Sequence, residues 1–354
     1  MNRNKTLSKK PPSEPIESFQ YDLFGKFICN DTHEVSNTIE VWESIPKYFL
    51  TAKKMEKLRT ADGYAASYKW EYQYKGIPCA VKITPAAIEQ EDGSEKSFFP
   101  STTEELVEEA LKKIFSQQQF SIHDPQNTES WVRFSLSMIE KELRKRNRTR
   151  DRNQIKHAIE VMSSCILTFY KEGKEVWKGA ILQDLVTVGR EEYLSNTEAH
   201  HIARLPLFIS HSINQLEFRQ FNYGRLMNCD SPLSRWIYRR LINSFTNANQ
   251  MNTYHIMYST IQTNSGLLQQ SREIDNRRKV LAALNELKKQ GAIARYVTED
   301  RKDGRKIIDV KYTITPSSDF IVEQKAANKR AKNNQETASL KEQEDRLLRS
   351  RSCV

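Results

Sequence analysis

The stretch SREIDNRRKVLAALNELKKQGAIARYVTEDRKDGRK, residues 271–306, decides the fold. Its first half predicts a helix over 272–290, because apolar residues recur every three or four positions and Gly291 supplies a helix stop. Its second half predicts two strands, 293–298 and 307–314, around the tight turn RKDGRK. The predicted helix therefore starts with a run of arginine and lysine and leads into a hairpin whose turn is also basic.

The same pattern occurs earlier in the chain. A first block, residues 101–181, and a second block, residues 231–314, each predict three helices followed by a strand, a turn and a strand. The third helices align at an offset of 125 residues, which matches four apolar positions on one helical face. The matched pairs are Ile155 with Val280, Ala158 with Ala283, Ile159 with Leu284, and Met162 with Leu287. We interpret this as an internal duplication of one structural unit.

The elements of the two blocks are predicted from periodicity and capping residues. In the first block the helices are 102–114, 131–143 and 150–163, and the strands are 166–170 and 176–181. In the second block the helices are 231–245, 254–264 and 272–290. Between the blocks, 205–221 has strand or mixed character. Upstream, the aromatic stretch 64–74 predicts a β-hairpin that returns to residue 83; packing in a sheet is favoured for its aromatic rings over stacking on unpaired bases.

Three helices followed by a β-hairpin is the order of the winged helix, a helix-turn-helix variant whose third helix enters the major groove of DNA. The predicted fold class is therefore α+β, with tandem winged-helix domains, β-hairpin wings and a β-containing N-terminal extension. The predicted organisation is a disordered basic arm (1–18), an N-terminal winged-helix domain with a β-hairpin elaboration (19–204), a C-terminal winged-helix domain (205–320) and a disordered or loosely helical tail (321–354).

The basic residues at the start of each third helix are the candidates for reading bases, because arginine can make two hydrogen bonds to guanine and asparagine two to adenine. The candidate base-reading residues are Arg272, Asn276, Arg278 and Lys279 in the second block, and Arg150, Arg152, Asn153 and Lys156 in the first. The candidate contacts to the DNA backbone are Arg277, Arg301, Lys302, Arg305, Lys306, Lys171 and Lys174. For one isolated helix, a solvated charged face is the better interpretation; two such helices favour DNA.

The overall charge agrees with a polyanionic partner. The 354 residues carry a net charge of +10, which favours nucleic acid first and an anionic membrane second. No stretch approaches the roughly 18 consecutive apolar residues of a membrane span. The basic start predicts a polar arm rather than a secretory signal, and five dispersed cysteines are typical of a reducing cytoplasm.

The pattern of catalytic motifs predicts that the chain is not an enzyme. The glycines followed by lysine have no glycine five residues earlier, so the phosphate-binding loop of an ATPase is missing. There is no His-hydrophobic-His pair for a strand-nicking metal site, and His200 and His201 are predicted as surface or linker residues. The four acids predicted as a charge cluster at a helix N-terminus are Glu104, Glu105, Glu108 and Glu109. We expect no cofactor and no metal.

Three stretches of the second block resemble a known family. They are SPLSRWIYRRLINSF (231–245), a helix ending in TNSG (263–266), and RRKVLAALNELKKQGAI (277–293). Together they resemble the C-terminal winged helix of plasmid replication initiator proteins of the Rep type, which bind repeated iteron sequences.

The first block resembles the other winged helix of the same family. The stretches are PSTTEELVEEALKKI (100–114), FSLSMIEKELRKRN (134–147) and NQIKHAIEVM (153–162), and LPLFISHSINQLEFRQFNYGRL (205–226) resembles the linking region. The resemblance covers about residues 95–318.

The resemblance implies a function that spacing alone does not show. Such initiators bind direct repeats at a plasmid origin as monomers, help to open an adjacent A·T-rich segment, and recruit the host initiator and the replicative helicase; their dimers often repress their own gene. The resemblance thus implies a bacterial cytoplasmic protein whose partners are double-stranded origin DNA, these host proteins and a second copy of itself, with no membrane. The C-terminal unit would read iteron bases, and the N-terminal unit would contact the neighbouring groove and supply the dimer surface.

Three alternatives stay open. A winged-helix transcriptional repressor is the main one, although two units in one chain and no evident ligand-sensing domain weigh against it. An enzyme such as a primase or a nicking protein is disfavoured by the missing motifs. An RNA-binding or structural protein would use the positive charge without sequence preference.

Overall fold

The computed structural model describes residues 34–189 and 200–352, so the predicted basic arm (1–18) lies outside the described residues. The N-terminal extension contains β1 (Val35–Thr38), α1 (Glu40–Ser44), α2 (Ala52–Leu58), β2 (Tyr68–Tyr74), β3 (Ile77–Thr84), β4 (Ala86–Glu89) and β5 (Glu95–Phe98). The predicted upstream hairpin is confirmed as the antiparallel pair β2–β3. Its two-residue turn, Lys75 and Gly76, has positive φ at both positions, which suits the twist of a hairpin.

The first block begins where the sequence predicts it. It contains α3 (Thr102–Phe115), a short 3-10 turn (Gln118–Phe120), β6 (Ser121–Asp124), β7 (Glu129–Phe134), α4 (Leu136–Lys145), α5 (Arg152–Ser164), β8 (Ile166–Lys171) and β9 (Lys174–Ala180). At the start of α3 the Glu104 carboxylate accepts a hydrogen bond from the backbone N–H of Ser101, as in a capping box.

The connection between the blocks contains β10 (Gln183–Val186), β11 (His201–Arg204), α6 (Leu207–Asn214), β12 (Arg219–Asn222) and α7 (Tyr223–Asn228). Residues 205–221, predicted as strand or mixed, therefore hold a helix and a strand. Phe208 of α6 contacts the rings of Phe169 and Trp177, so α6 packs on the first block. Strand β12 pairs with β1, which ties the N-terminal extension to this connection.

The second block contains α8 (Pro232–Ser244), β13 (Tyr254–Met257), α9 (Tyr258–Ser265), α10 (Glu273–Lys289), β14 (Ile293–Asp303) and β15 (Lys306–Pro316). The Ser231 hydroxyl caps α8, and Pro232 occupies its first turn. Gly291, with φ of +70°, follows the end of α10. These helix ends agree with the sequence prediction.

Two predicted helices, 131–143 and 254–264, are wrong in their first residues, which form strands. In β7 the alternate side chains of Ser130, Val132 and Phe134 are buried, which is the period of a strand. Residues 254–257 form β13 because they pair with β15, a partner more than 50 residues away that local spacing does not reveal. Both blocks therefore have strand structure between the first and second helices, namely β6 and β7 in the first block and β13 alone in the second.

The hairpins that end the two blocks have different surroundings. The pair β8–β9 lies in a four-stranded antiparallel sheet of order β2-β3-β8-β9, in which Val81 stands opposite Phe169. The pair β14–β15 has β13 beside it only from Lys311 to Ile314. The outer half of the second hairpin is therefore two-stranded and projects from the body.

Of the two states predicted for the tail, disordered or loosely helical, the structure has the helical one, because α11 (Ser318–Ser352) continues from β15. Phe320, Ile321 and Ala327 on one face of α11 are buried, and the Phe320 ring stacks on Phe245 at 6.4 Å. The guanidinium of Arg219 also donates to the Gln324 side chain. The overall polar composition of the segment does not reveal this apolar face, because the few apolar residues that form it are spread along the helix.

The two blocks meet where α3 faces α8, and charged side chains make the contact. The Glu105 carboxylate accepts from Arg235 at 2.6 Å and from Arg239 at 2.8 Å. Arg239 also donates to Glu109 at 2.9 Å and lies 3.4 Å from Glu43. Lys112 bridges two of these acids, at 2.5 Å and 2.6 Å. We call these six residues the interblock ion network: Glu43, Glu105, Glu109, Lys112, Arg235 and Arg239.

Glu104 and Glu105 lie in the first turn of α3, as predicted, but the four acids of this helix do not face solvent. All four are buried, and Glu108 accepts hydrogen bonds from Trp42 Nε1 at 2.6 Å and from the Tyr48 hydroxyl at 2.7 Å. Glu104 bonds the neighbouring Ser101, whereas Glu105, Glu108 and Glu109 also have partners on α8 or in the N-terminal extension, both distant in sequence. The sequence shows the acids at the start of the helix but not the distant cations that face three of them.

The surroundings of the network keep its carboxylates charged. Burial alone would raise the pKa of Glu105, but the guanidinium groups of Arg235 and Arg239 outweigh it and lower that pKa to about 2. Burial acts in the same way on Glu43, and Lys112, Arg239 and Lys47 together lower its pKa to about 2.

Candidate nucleic-acid interface

The third helix of the second block, α10, is held by the apolar face predicted from sequence. Val280, Ala283, Leu284 and Leu287 are all buried. These positions recur every three or four residues, so the opposite side of the helix is left to solvent. This orientation decides which basic residues of the first turns can reach a ligand.

Two of the candidate base-reading arginines are held together by one acid. The side chain of Arg272, just before the first turn, is 73% exposed and donates to Asp275 at 2.8 Å. Arg278, one turn later, is 68% exposed and lies 3.4 Å from the other oxygen of Asp275. Lys279 is also exposed. The start of α10 thus presents a pre-organised pair of guanidinium groups to solvent.

Asn276 does not belong to this surface, and the prediction that its side chain faces outward is wrong. The residue is 1% exposed. Its side chain accepts a hydrogen bond from the backbone N–H of Gln270 at 2.9 Å and donates to the Gln270 carbonyl at 3.1 Å. Asn276 stands four residues before Val280, so it continues the buried face of the helix. It closes the loop that enters α10 instead of facing outward.

Ile274 is an exposed residue of this surface that the sequence interpretation missed. It is 50% exposed although it is a large apolar side chain. It stands one turn before Arg278, so the two lie on the same side of the helix. In a major groove an apolar side chain can contact the methyl group of thymine. The sequence offered one signal for this, because Ile274 is an apolar residue that does not fit the spacing of the buried face of α10.

The hairpin β14–β15 carries the second group of predicted contacts. Residues 297–306 are exposed on both faces of the hairpin, since no other described strand or helix covers its outer half. The turn is made at Gly304, with φ of +56°. The four predicted backbone contacts around this turn are all exposed: Arg301, Lys302, Arg305 and Lys306. Arg277, also predicted to contact the backbone, is only half-exposed on α10.

The first block presents a similar but less open surface. Asp151 caps α5 by accepting from the backbone N–H of Gln154, and Arg152, Asn153 and Lys156 are exposed on the first turns. The guanidinium of Arg152 lies 3.2 Å from Glu140 of α4. These residues form the exposed start of the helix, as predicted.

Arg150 is half-buried, and its Nε donates to the Thr103 hydroxyl at 3.3 Å, so its side chain lies against the start of α3. Lys171 and Lys174 are exposed and stand opposite each other across the turn of β8–β9. The predicted contacts of the first block that face solvent are therefore those at the helix start and this lysine pair.

The aromatic residues of β2 pack in the protein, as the favoured interpretation predicts, whereas Tyr64 lies before the strand and is 50% exposed. Trp70 donates its indole N–H to the carbonyl of Thr263 at 2.7 Å and lies 5.2 Å from the ring of Phe49. Tyr72 is 3% exposed. The aromatic strand thus joins the N-terminal extension to α9 of the second block.

Metal-binding and membrane-spanning features are missing from the part of the chain that the structure describes. In residues 34–189 and 200–352, no three His, Cys, Asp or Glu side chains are grouped to hold a metal ion. Within the same described ranges, no helix combines the length and the apolar character needed to cross a bilayer. His201 accepts a hydrogen bond from the backbone N–H of Val188 at 3.0 Å, so it has a structural partner.

No protein-family model matches the chain, and no curated protein matches it. Among solved structures, the fold is similar to domains 2 and 3 of RctB, at 10% identity and a TM-score of 0.47 over 78% of this chain and 98% of that one. A second RctB structure of the same domains has 12% identity and a TM-score of 0.44, covering 76% and 97%. The fold is also similar to the Pi initiator protein in complex with iteron DNA, at 12% identity and a TM-score of 0.36, covering 82% and 100%.

Proposed function

We propose that this chain is an origin-binding replication initiator that grips double-stranded DNA with two winged-helix units. The observation that carries the proposal is the exposed basic start of α10 beside the projecting basic hairpin β14–β15. The start of α10 supplies hydrogen-bond donors for base edges. The hairpin supplies cations placed, like the wing of a winged helix, to contact the phosphate backbone. A similar but less exposed arrangement occurs at the start of α5 and the turn of β8–β9.

In the second unit, α10 would enter the major groove with its first turns. Arg278 would donate to a guanine, and Ile274 on the same side would contact a thymine methyl group. Asp275 holds Arg272 and Arg278 before DNA arrives, so less side-chain entropy is lost on binding. The hairpin turn, with four cations against the single acid Asp303, would lie along a phosphate backbone.

In the first unit, Arg152, Asn153 and Lys156 would contact a neighbouring groove, and Lys171 and Lys174 the backbone beside it. Two linked units raise the effective concentration of the second contact once the first is made. Binding can therefore be specific even though each unit offers few base contacts.

The initiator would act by binding rather than by covalent chemistry. Following the family resemblance, we propose that occupied repeats help to open an adjacent A·T-rich segment and recruit the host initiator and the replicative helicase. A dimer of the chain would repress its own gene. The alternative is a winged-helix repressor, which would use the same surface on a single palindrome.

A footprint of the purified chain on its own gene and about a kilobase of flanking DNA tests the proposal. Regularly spaced protected repeats, about two helical turns apart, are the expected result for an initiator. A single protected palindrome over the promoter would make the chain a repressor. Protection without sequence preference would reject both.

A further inference from the structure

The interblock ion network joins the two blocks with charged groups where apolar side chains would be usual. The Arg235 side chain is 1% exposed and that of Glu105 is 4% exposed. A buried ion pair adds little net stability over an apolar pair of similar size, because desolvation offsets most of the Coulomb attraction. It does restrict geometry, since a planar guanidinium bonds carboxylates in fixed directions. The network thus fixes the orientation of the two blocks relative to each other more than it stabilises their association.

The orientation of α3 relative to α8 is passed on to the two DNA-contacting helices. In the first block α5 packs on α3, and in the second α10 packs on α8. The contacting positions, among them Ile155 and Val280, are fully buried. A rotation between α3 and α8 would therefore move the start of α5 relative to the start of α10. Both starts have to meet grooves of one DNA duplex, whose turn repeats about every 10 base pairs.

We propose that Arg239 is a positioning residue that sets the separation and rotational phase of the two DNA-contacting helices. Its guanidinium contacts three carboxylates from two elements: Glu43 of α1, and Glu105 and Glu109 of α3. It is therefore the member of the network that ties α8 to both the first block and the N-terminal extension. Its role on DNA rests on the proposed function, whereas its effect on the blocks does not.

The Arg239→Met variant suits a test because it removes the constraint and still leaves each of the three carboxylates one cationic partner, although the network then holds one more negative than positive charge. Glu105 keeps Arg235 as its partner, and the other two carboxylates keep Lys112. The matched control is Arg240→Met, one residue on, whose guanidinium donates to the Tyr254 hydroxyl at 3.1 Å and is not part of the network. Arg239→Lys restores the charge but not the planar fork.

The first readout needs no DNA. Spin labels at Glu160 on α5 and Lys289 on α10, both exposed, report the distance between the third helices by pulsed electron paramagnetic resonance. The full chain is used with Cys29 and Cys353 replaced by serine, while the remaining cysteines are buried. Arg239→Met should broaden or shift the distance distribution, and Arg240→Met should leave it unchanged. An unchanged distribution in Arg239→Met would overturn the proposal.

The second readout uses duplexes that carry the footprinted site with 1 or 5 base pairs inserted between the two protected groove segments. Wild type should lose about tenfold or more in affinity on insertion, because the linked contacts no longer match one duplex. Arg239→Met should lose less than about threefold, with its affinity for one isolated segment unchanged. Full spacing discrimination in Arg239→Met would reject the positioning role.

The two ways of failing are distinguishable. If wild type protects no sequence, the proposed function fails, while the label distances still test the network by themselves. If Arg239→Met does not unfold cooperatively, Arg239→Lys takes its place. A lysine that restores both the distance distribution and the spacing discrimination would show that the charge, and not the guanidinium geometry, is what matters, and would overturn the proposal as stated.

Discussion

Asn276 and Arg278 are two residues apart on α10 and have opposite surroundings. Asn276 is 1% exposed and Arg278 is 68% exposed. A helix turns by about 100° per residue, so two positions differ by more than half a turn. Both side chains can recognise bases, and only their place on the helix separates a core residue from a candidate DNA contact.

Replacing Arg278 by alanine should weaken binding to the footprinted site by roughly 1–3 kcal/mol and relax the preference at one base position. The reason is the loss of a two-bond contact to one base. Affinities on a set of singly substituted sites check this. An equal loss on every sequence would show that Arg278 does not read a base.

Lys302→Ala is the contrasting change at the hairpin turn. It should weaken binding on all sequences and lower the slope of log affinity against log salt by about one. A salt titration on specific and random duplexes measures this. An unaltered slope would remove the hairpin turn from the backbone contacts.

Asn276→Ala should act on folding. It removes two part-buried hydrogen bonds to the backbone of Gln270, each worth about 0.5–1.5 kcal/mol, so the unfolding free energy should fall by about 1–3 kcal/mol. Asn153→Ala, exposed at the start of α5, is the matched control and should cost less than about 0.5 kcal/mol. Urea unfolding compares them. A normal stability with altered base preference would restore Asn276 as a base-reading residue.

At the scale of elements, the end of α9 shows how a local signal and a tertiary contact coincide. Gly266 has φ of +66° at the helix end, where glycine is favoured. A Cβ there would lie 2.8 Å from Cγ of Phe49, in the N-terminal extension. The glycine is required twice, once by its backbone angle and once by the ring packed against it.

Gly266→Ala should therefore destabilise the chain more than an alanine at a glycine of similar angle in open space. Gly93, with φ of +79° and nothing within 4 Å of a built Cβ, is that control. We expect Gly93→Ala to cost about 1–2 kcal/mol from the backbone angle alone. Gly266→Ala should cost about 1–3 kcal/mol more, from the displaced ring. Equal unfolding free energies would mean that the Phe49 ring moves aside freely.

At the scale of the whole molecule, the interblock ion network should make stability depend on acid. The pKa values of Glu43 and Glu105 are about 2, against an ordinary 4.5. A lowered carboxyl pKa contributes stability that is complete above the unfolded value and is lost as pH falls through the folded value. The loss should run from about pH 5 to about pH 2.

Glu105→Gln isolates this contribution, which is about 3 kcal/mol for a shift of that size. Thermal or urea unfolding of wild type and variant should differ most at pH 7 and converge as pH falls from 5 to 2. Glu160→Gln, at an exposed position of α5, is the control and should run parallel to wild type. If the difference between Glu105→Gln and wild type stays constant across this range, Glu105 is not a source of the acid dependence.

The elements that local patterns identify are those with a strong period and a clear end. The capped start of α3, the Ser231-Pro232 start of α8, the buried face of α10 and both terminal hairpins follow from such signals. The strands β7 and β13 were predicted as helix, because short apolar runs fit either period and the deciding hydrogen bonds come from distant strands. The same holds for the candidate site. Residue type and spacing predicted correctly that Arg278 is exposed, but they did not predict that Asn276 is buried.

What the sequence determined by itself is the three helices and the terminal hairpin of each block, the buried stripe of each third helix, and the basic starts and turns beside those stripes. These features depend on neighbours within a few residues, so spacing is enough to reveal them. Only the tertiary structure decided that the first hairpin joins a four-stranded sheet while the second projects, that the start of α11 is packed, and that the acids of α3 face Arg235 and Arg239. Each of these depends on groups far apart in the chain, whose meeting is set by packing and burial rather than by local propensity.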